Sequence, residues 1–170
     1  MKVDERFLIY PDKRLRTPAE PVEKIDYEIH GHWVDMIDIM EKMPGLGLAA
    51  PQIGLMLRLA VVDASEERGQ AVRLANPEVI DASEETMAVD EASPNLMGVA
   101  AKINRPERVT VRFLNQHGEI EERDFEGVWS ISVQHQIDHL NGKMYIDHLG
   151  RTKREMLIRK AQKQAHLWGR

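Results

Sequence analysis

Residues 132–142 read SVQHQIDHLNG, and the chemistry they offer centres on His135 and His139. Four residues apart on a helix, the two imidazoles share a face, a spacing that lets both chelate one divalent ion. Val128 and Ser132 continue the same face at the i, i+4, i+7, i+11 positions. A helix of the H-E-x-x-H type places a glutamate after the first histidine as a general base. This chain has Gln136 there, an amide with no proton to exchange at ordinary pH. The spacing alone also admits a plainer reading, two partly buried histidines with satisfied hydrogen bonds. The chain contains no cysteine, which removes thiolate ligands, thiol nucleophiles and disulfides together.

The elements that must hold this helix follow from periodicity. Residues 127–141 read as the histidine helix. Residues 26–43 form an earlier one, capped by Asp26, with Ile29, Trp33, Met36, Ile37 and Met40 at helical spacing and Pro44-Gly45 as its stop. Strands are expected at 56–63, 71–76, 85–90, 107–114 and 119–125, the last two joined across NQHG as a hairpin. GLGLAAPQIG (45–54) is small, apolar and glycine-rich, and reads as a tight loop lying against another surface. PDKRLRTPAEPV (11–22) reads as an extended arm. KMYIDHL (143–149) reads as a short extended piece before a final helix from 152 to 166, whose apolar stripe runs through Leu157, Ala161, Ala165 and Trp168. Strands in the middle with helices packed on them make an α+β pattern, expected as one domain over residues 1–170.

With 42% hydrophobic and 30% charged residues, the 170-residue chain has the composition of a soluble globular protein. No apolar run is long enough for a membrane span, and the first residues lack a secretory pattern, so the expected location is the cytoplasm. Residues 151–170 carry seven Lys or Arg against one acid, a balance of +6 that leaves −11 on residues 1–150. The body should repel nucleic acid, which argues against DNA binding, while the final helix could attract a phosphate backbone.

Two stretches together resemble the peptide deformylases, metallohydrolases that remove the formyl group from the N-terminal methionine of nascent chains. GLGLAAPQIG is similar to the first motif of that family, and HQIDHLNG to its third, H-E-x-D-H. The resemblance covers nearly the whole chain and includes the proline-bearing arm. It implies a fold of antiparallel sheets packed around a central HxxxH helix, with a C-terminal helix. It also implies a Cys-His-His site for Fe²⁺, Zn²⁺ or Ni²⁺. The family's second motif, E-G-C-L-S, falls on Glu91-Ala92-Ser93-Pro94-Asn95, four of whose five positions differ.

The departures concern chemistry. By the resemblance, Ser93 stands at the cysteine ligand beside His135 and His139, and a hydroxyl is a weak neutral ligand. Glu91 and Asp90 are the carboxylates at hand to help. Gln136 stands at the general base. Pro94 stands where the family uses a backbone N–H, with Gln52, to bind the formyl oxygen, and proline has no N–H. Leu46, Gly47, Leu48, Val128 and Ile131 are the expected walls of a methionine-sized pocket. The expectation is therefore a deformylase-like protein with lost or greatly reduced activity and no metal, or a weakly held one. An active hydrolase with a rebuilt metal site is the alternative, and Ser93 as a nucleophile served by His135 is a third. The expected partners are a nascent-peptide N-terminus or the ribosome, the latter through the basic final helix; nothing in the sequence bears on oligomeric state.

Overall fold

The computed structural model describes residues 4–43 and 45–169. Helix α1 spans Tyr27–Lys42, and the Asp26 carboxylate caps it by accepting the Ile29 N–H at 3.0 Å. Seven strands follow: β1 Gly47–Ala49, β2 Leu59–Val62, β3 Val72–Ala82, β4 Thr86–Ser93, β5 Leu96–Pro106, β6 Arg108–Leu114 and β7 Ile120–Glu126. Helices α2, Val128–Leu140, and α3, Arg151–Leu167, complete the chain. Five strands form an antiparallel sheet in the order β1-β2-β3-β6-β7, and β4 pairs with β5 in a separate hairpin.

Strand β2 shows how the layers are built. All four of its residues are buried, because successive side chains leave opposite faces of the strand. Leu59 and Val61 join Trp33, Met36, Ile39 and Met40 of α1. Ala60 and Val62 join Val133, Ile137 and Leu140 of α2, with Leu74, Val111 and Phe113. The large sheet is thus sandwiched between α1 and the histidine helix. A third cluster holds α3 to the hairpin through Ala161, Leu96, Val99, Ile103 and Tyr145.

Several elements differ from the sequence expectation. GLGLAAPQIG is not a plain loop: it holds β1 and a 3-10 turn, Ala50–Ile53, closed by Gly54 at φ +79°. KMYIDHL folds into a 3-10 turn at Tyr145–His148 rather than an extended piece. The N-terminal arm contains a 3-10 turn at Lys13–Arg16, where the Asp12 carboxylate accepts the Arg14 N–H. Strand β5 was not expected at all. From Met97 to Arg105 buried and exposed positions alternate, but the buried set includes Arg105, which hides the apolar period. In α1, Ile39 is buried while Ile37 is only partly so, and Trp168 lies exposed beyond α3. Pro44 lies outside the described residues. No helix among the described residues is long and apolar enough to cross a membrane.

Candidate functional site

Helix α2 runs beneath β1 and presents His135 and His139, both buried, toward the β4–β5 hairpin. Their Nε2 atoms lie 3.2 Å apart. His135 Nδ1 lies 2.9 Å from Glu91 Oε1, so it donates to that carboxylate. One proton is then shared between the two Nε2 atoms. Burial first, then the charges of His135, Arg105 and Arg16, hold the His139 pKa well below the usual histidine value, so this ring is neutral.

Behind the histidines lies an ion-pair network. Arg105 grips Glu91 with two bonds, Nε to Oε2 at 2.6 Å and Nη2 to Oε1 at 2.9 Å. Its Nη1 reaches Asp138 Oδ2 at 3.0 Å, and His148 Nε2 meets the same oxygen at 2.9 Å. Burial works to raise the Glu91 pKa, but the bonds from His135 and Arg105 outweigh it and keep the group ionised below the usual range. Glu91 is thereby committed to the Nδ1 edge of His135, away from the atoms that face His139.

The hairpin tip supplies a second network, built on a two-residue turn at Pro94-Asn95. Ser93 Oγ donates to Asn95 Oδ1 at 2.9 Å. Gln52 Nε2 donates to the same Asn95 oxygen at 2.8 Å and meets Ser93 Oγ at 3.3 Å. Gln52 Oε1 accepts the Ala49 N–H at 2.9 Å. Asn95 Nδ2 donates to Leu8 O at 2.6 Å and Gln52 O at 3.0 Å. All three side chains are buried, and their hydrogen-bonding groups are used on one another and on nearby backbone.

Between these networks and α1 opens a cavity of about 380 Å³. Leu46, Gly47, Leu48, Val128 and Ile131 line it, together with Gln52, Pro94, His135 and Gln136 and with Phe7, Met40, Met43, Val89, Asp90 and Glu91. Gly47 is there by necessity: a Cβ on it would lie 2.6 Å from Gln136 Nε2 and 2.7 Å from Ser132 Oγ. Gln136 is buried, and its Oε1 has no hydrogen-bond partner.

Does this donor set fit the ion a Cys-His-His site would hold? Two imidazoles converge, but the third position is a hydroxyl tied to Asn95 and Gln52. Among the described residues no group of three or more His, Cys, Asp or Glu is arranged to hold a metal ion. The residues present do not fit a resident tetrahedral ion. A Ser93–His135 pair is not assembled either, since each side chain is bonded elsewhere.

The comparisons with known proteins bear on ancestry. A family model described as Polypeptide deformylase matches residues 5–155. The chain belongs to the peptide deformylase family. It is 40% identical to the peptide deformylase of Afipia carboxidovorans over 159 residues, 92% of this chain and 93% of that relative. It is 40% identical over 160 residues to that of Phenylobacterium zucineum, covering 93% of this chain and 95% of the relative. The crystal structure of a peptide deformylase from Legionella pneumophila matches with a TM-score of 0.89 at 38% identity, covering 96% of each chain. That from Ehrlichia chaffeensis matches with a TM-score of 0.89 at 32% identity, covering 95% of this chain and 96% of the other.

Within this deformylase fold, sequence reasoning missed Arg105 and the positioning role of Asn95. Both had a signal. A buried glutamate on a strand needs a cation, and Arg105 sits on the strand that pairs with it. Asn95 was noted as a departure, but nothing local says that its amide closes onto Gln52, 43 positions away in sequence. The pocket floor from Phe7, Met40 and Met43 was also missed, since Phe7 lies on an arm without periodicity.

Proposed function

We propose that this deformylase-family chain has lost most or all of its formyl-hydrolysing power and uses its cavity to hold an N-terminal residue of about methionine size. The observation that carries this reading is the closure of Gln52, Ser93 and Asn95 on one another. The atoms a deformylase would direct at an ion and at the formyl oxygen are spent inside the protein. Gln136 cannot exchange a proton, a loss worth about 10²–10⁴ in rate where general acid–base help is removed. Pro94 has no N–H to offer, and one oxyanion donor is worth about 10²–10³. The cavity supports a peptide ligand: it is mainly apolar, and the residues that line it include the edge strands β1 and β4, whose free sides can pair with an extended chain.

The test is formate release from formyl-Met-Ala-Ser by the full chain, as purified and after loading with Fe²⁺, Ni²⁺ or Zn²⁺. The expected result is no release above background in any sample. Turnover within tenfold of an ordinary deformylase would refute the reading. One observation favours the second reading, an active hydrolase with a rebuilt site: the convergence of two buried Nε2 atoms. Stoichiometric metal retained through dialysis, with turnover abolished in His139→Ala, would establish it instead.

A ribosomal location is part of the same proposal. Arg151, Lys153, Arg159, Lys160 and Lys163 are exposed along α3. A phosphate backbone attracts such a face with a steep salt dependence. Because α3 is packed on β5, charge reversal is a cleaner probe than truncation. Co-sedimentation with ribosomes should fall with salt and disappear in K153E/K160E/K163E; unchanged pelleting would remove the ribosome from the proposal.

A further inference from the structure

We propose that Arg68, on the loop between β2 and β3, is a positioning residue that seats the cavity wall at Gly45-Leu46 and so sets which N-terminal side chain the cavity takes. The seat is read from the geometry alone. Its effect on ligands rests on the reading above, that the cavity holds an N-terminal residue of about methionine size.

Met43, Gly45 and Leu46 line the cavity on the run that links α1 to β1. Leu46 is exposed, so packing alone does not hold this run. Its backbone is held through two consecutive carbonyls instead. Gly45 O accepts from Arg68 Nη2 at 2.9 Å. Leu46 O accepts the Asp63 N–H and the Ser132 hydroxyl, each at 2.9 Å. Ser132 belongs to α2, which also supplies Val128 and Ile131 to the lining. The next residue, Gly47, already lies close against Gln136 and Ser132 of that helix. A shift of the wall at Gly45-Leu46 therefore changes the width of the cavity.

Arg68 joins three elements at once. Its Nη1 donates to Asp63 O at 2.6 Å, just beyond β2. Its Nε and Nη2 meet the Glu41 carboxylate of α1 at 3.3 and 3.1 Å, and Nη2 also serves Gly45 O. A guanidinium directs its donors in a fixed plane, so these bonds define one position for the wall. The loop beneath is stiffened by Asp63, whose buried carboxylate accepts the Ser65 and Gln70 N–H groups and the Ser65 hydroxyl. Arg68 itself has φ +62°, a left-handed conformation that strains a residue with a β-carbon and that glycine takes freely. The ion pair with Glu41 is about one-third exposed on both sides, and such pairs stabilise less than such strain costs. The bonds to the two backbone carbonyls are what an arginine adds at this position.

The test compares the full chain with Arg68→Gly and Glu41→Gln. Arg68→Gly removes the guanidinium and relaxes the backbone, so the denaturant midpoint should stay near that of the parent. Glu41→Gln removes the charge partner and keeps the bond to Gly45 O. In hydrogen exchange, the amides of residues 45–49 and of Asp63 should exchange at least about tenfold faster in Arg68→Gly, the order expected for losing a hydrogen bond to a charged group. They should be unchanged in Glu41→Gln. In isothermal titration with Met-Ala-Ser, Phe-Ala-Ser and their formyl forms, Arg68→Gly should weaken the Met peptides about tenfold and the Phe peptides less, narrowing the preference between them. Unchanged exchange at 45–49, or faster exchange spread over the whole chain, overturns the seat. Faster local exchange with an unchanged Met-to-Phe preference overturns its link to specificity. If the parent binds none of the four peptides at millimolar concentration, the reading of the cavity falls, and the exchange result still decides the seat.

Discussion

Restoring the family's groups in steps tests whether the hydrogen-bonded knot, rather than any single residue, suppresses hydrolysis. The relevant variants are Ser93→Cys, Gln136→Glu, and the quadruple S93C/P94L/N95S/Q136E. In the knot, Asn95 Oδ1 takes one Gln52 amide hydrogen at 2.8 Å and Ser93 Oγ stands near the other at 3.3 Å. Ser93→Cys supplies a third ligand for the ion, yet leaves Asn95 holding Gln52 and leaves no base. It should take up about one equivalent of Zn²⁺ or Ni²⁺ and release no measurable formate. Gln136→Glu alone supplies a base with nothing positioned for it to act on, and should also stay silent. The quadruple variant returns a base, worth about 10²–10⁴, and oxyanion donors worth about 10²–10³ each. A simple product would pass about 10⁶, but groups acting as a unit do not multiply, so the expected gain is at least about 10³ over the parent. Metal content by elemental analysis and formate release by a dehydrogenase-coupled assay give the two readouts. Full activity from Ser93→Cys alone, or from the parent once loaded with metal, would refute the reasoning.

Other expectations concern the scaffold. Arg105→Met leaves Glu91 and Asp138 without their cation in a buried setting, and should cost about 3–5 kcal/mol in denaturant unfolding. E91Q/R105M should recover part of that loss. Gly142 has φ +73°, and a Cβ there would lie 2.7 Å from Arg16 O, so Gly142→Ala should cost about 1–3 kcal/mol by the same measurement. Asp63 is fully buried, and burial pushes its pKa up. The hydrogen bonds from Ser65 and Gln70 and the Arg68 charge outweigh that and hold it below the usual value. Its folded pKa is below the unfolded one, so its contribution is complete above the unfolded pKa of about 3.9 and fades as pH falls toward the folded value. Asp63→Asn should therefore flatten the stability–pH curve below about pH 4 and lower the plateau above it.

What was legible in the sequence was whatever repeats locally. Helices α1, α2 and α3 came from spacing and the Asp26 cap. The β6–β7 hairpin came from NQHG, where Asn115 Oδ1 accepts the His117 and Glu119 N–H groups. The substituted positions Ser93, Pro94 and Gln136 could be named because two motifs fix the register of the chain. What could not be read is how the new side chains satisfy one another. Gln52, Asn95 and the Leu8 carbonyl meet only after the arm, the 3-10 turn and the hairpin tip have packed. Strand β5 escaped for a related reason: its buried Arg105 is justified only by carboxylates on β4 and α2.

The knot also bears on how the substitutions relate. A hydroxyl buried in place of a metal-bound thiolate would lack partners and carry the cost of desolvation. Asn95 removes that cost, because its amide oxygen accepts from both Ser93 and Gln52 while its nitrogen serves two backbone carbonyls. Ser93 and Asn95 therefore make sense as a pair, and reverting Asn95 alone should orphan the buried Ser93 hydroxyl. A site eroded at random would leave such orphans scattered through its wall. Among the described side chains that line this cavity the sole buried orphan is Gln136 Oε1. Gln136 thus keeps unused hydrogen-bonding capacity beside a set that is otherwise closed on itself, which is why ligand chemistry, and not residual catalysis, is the sharper question to put to this protein.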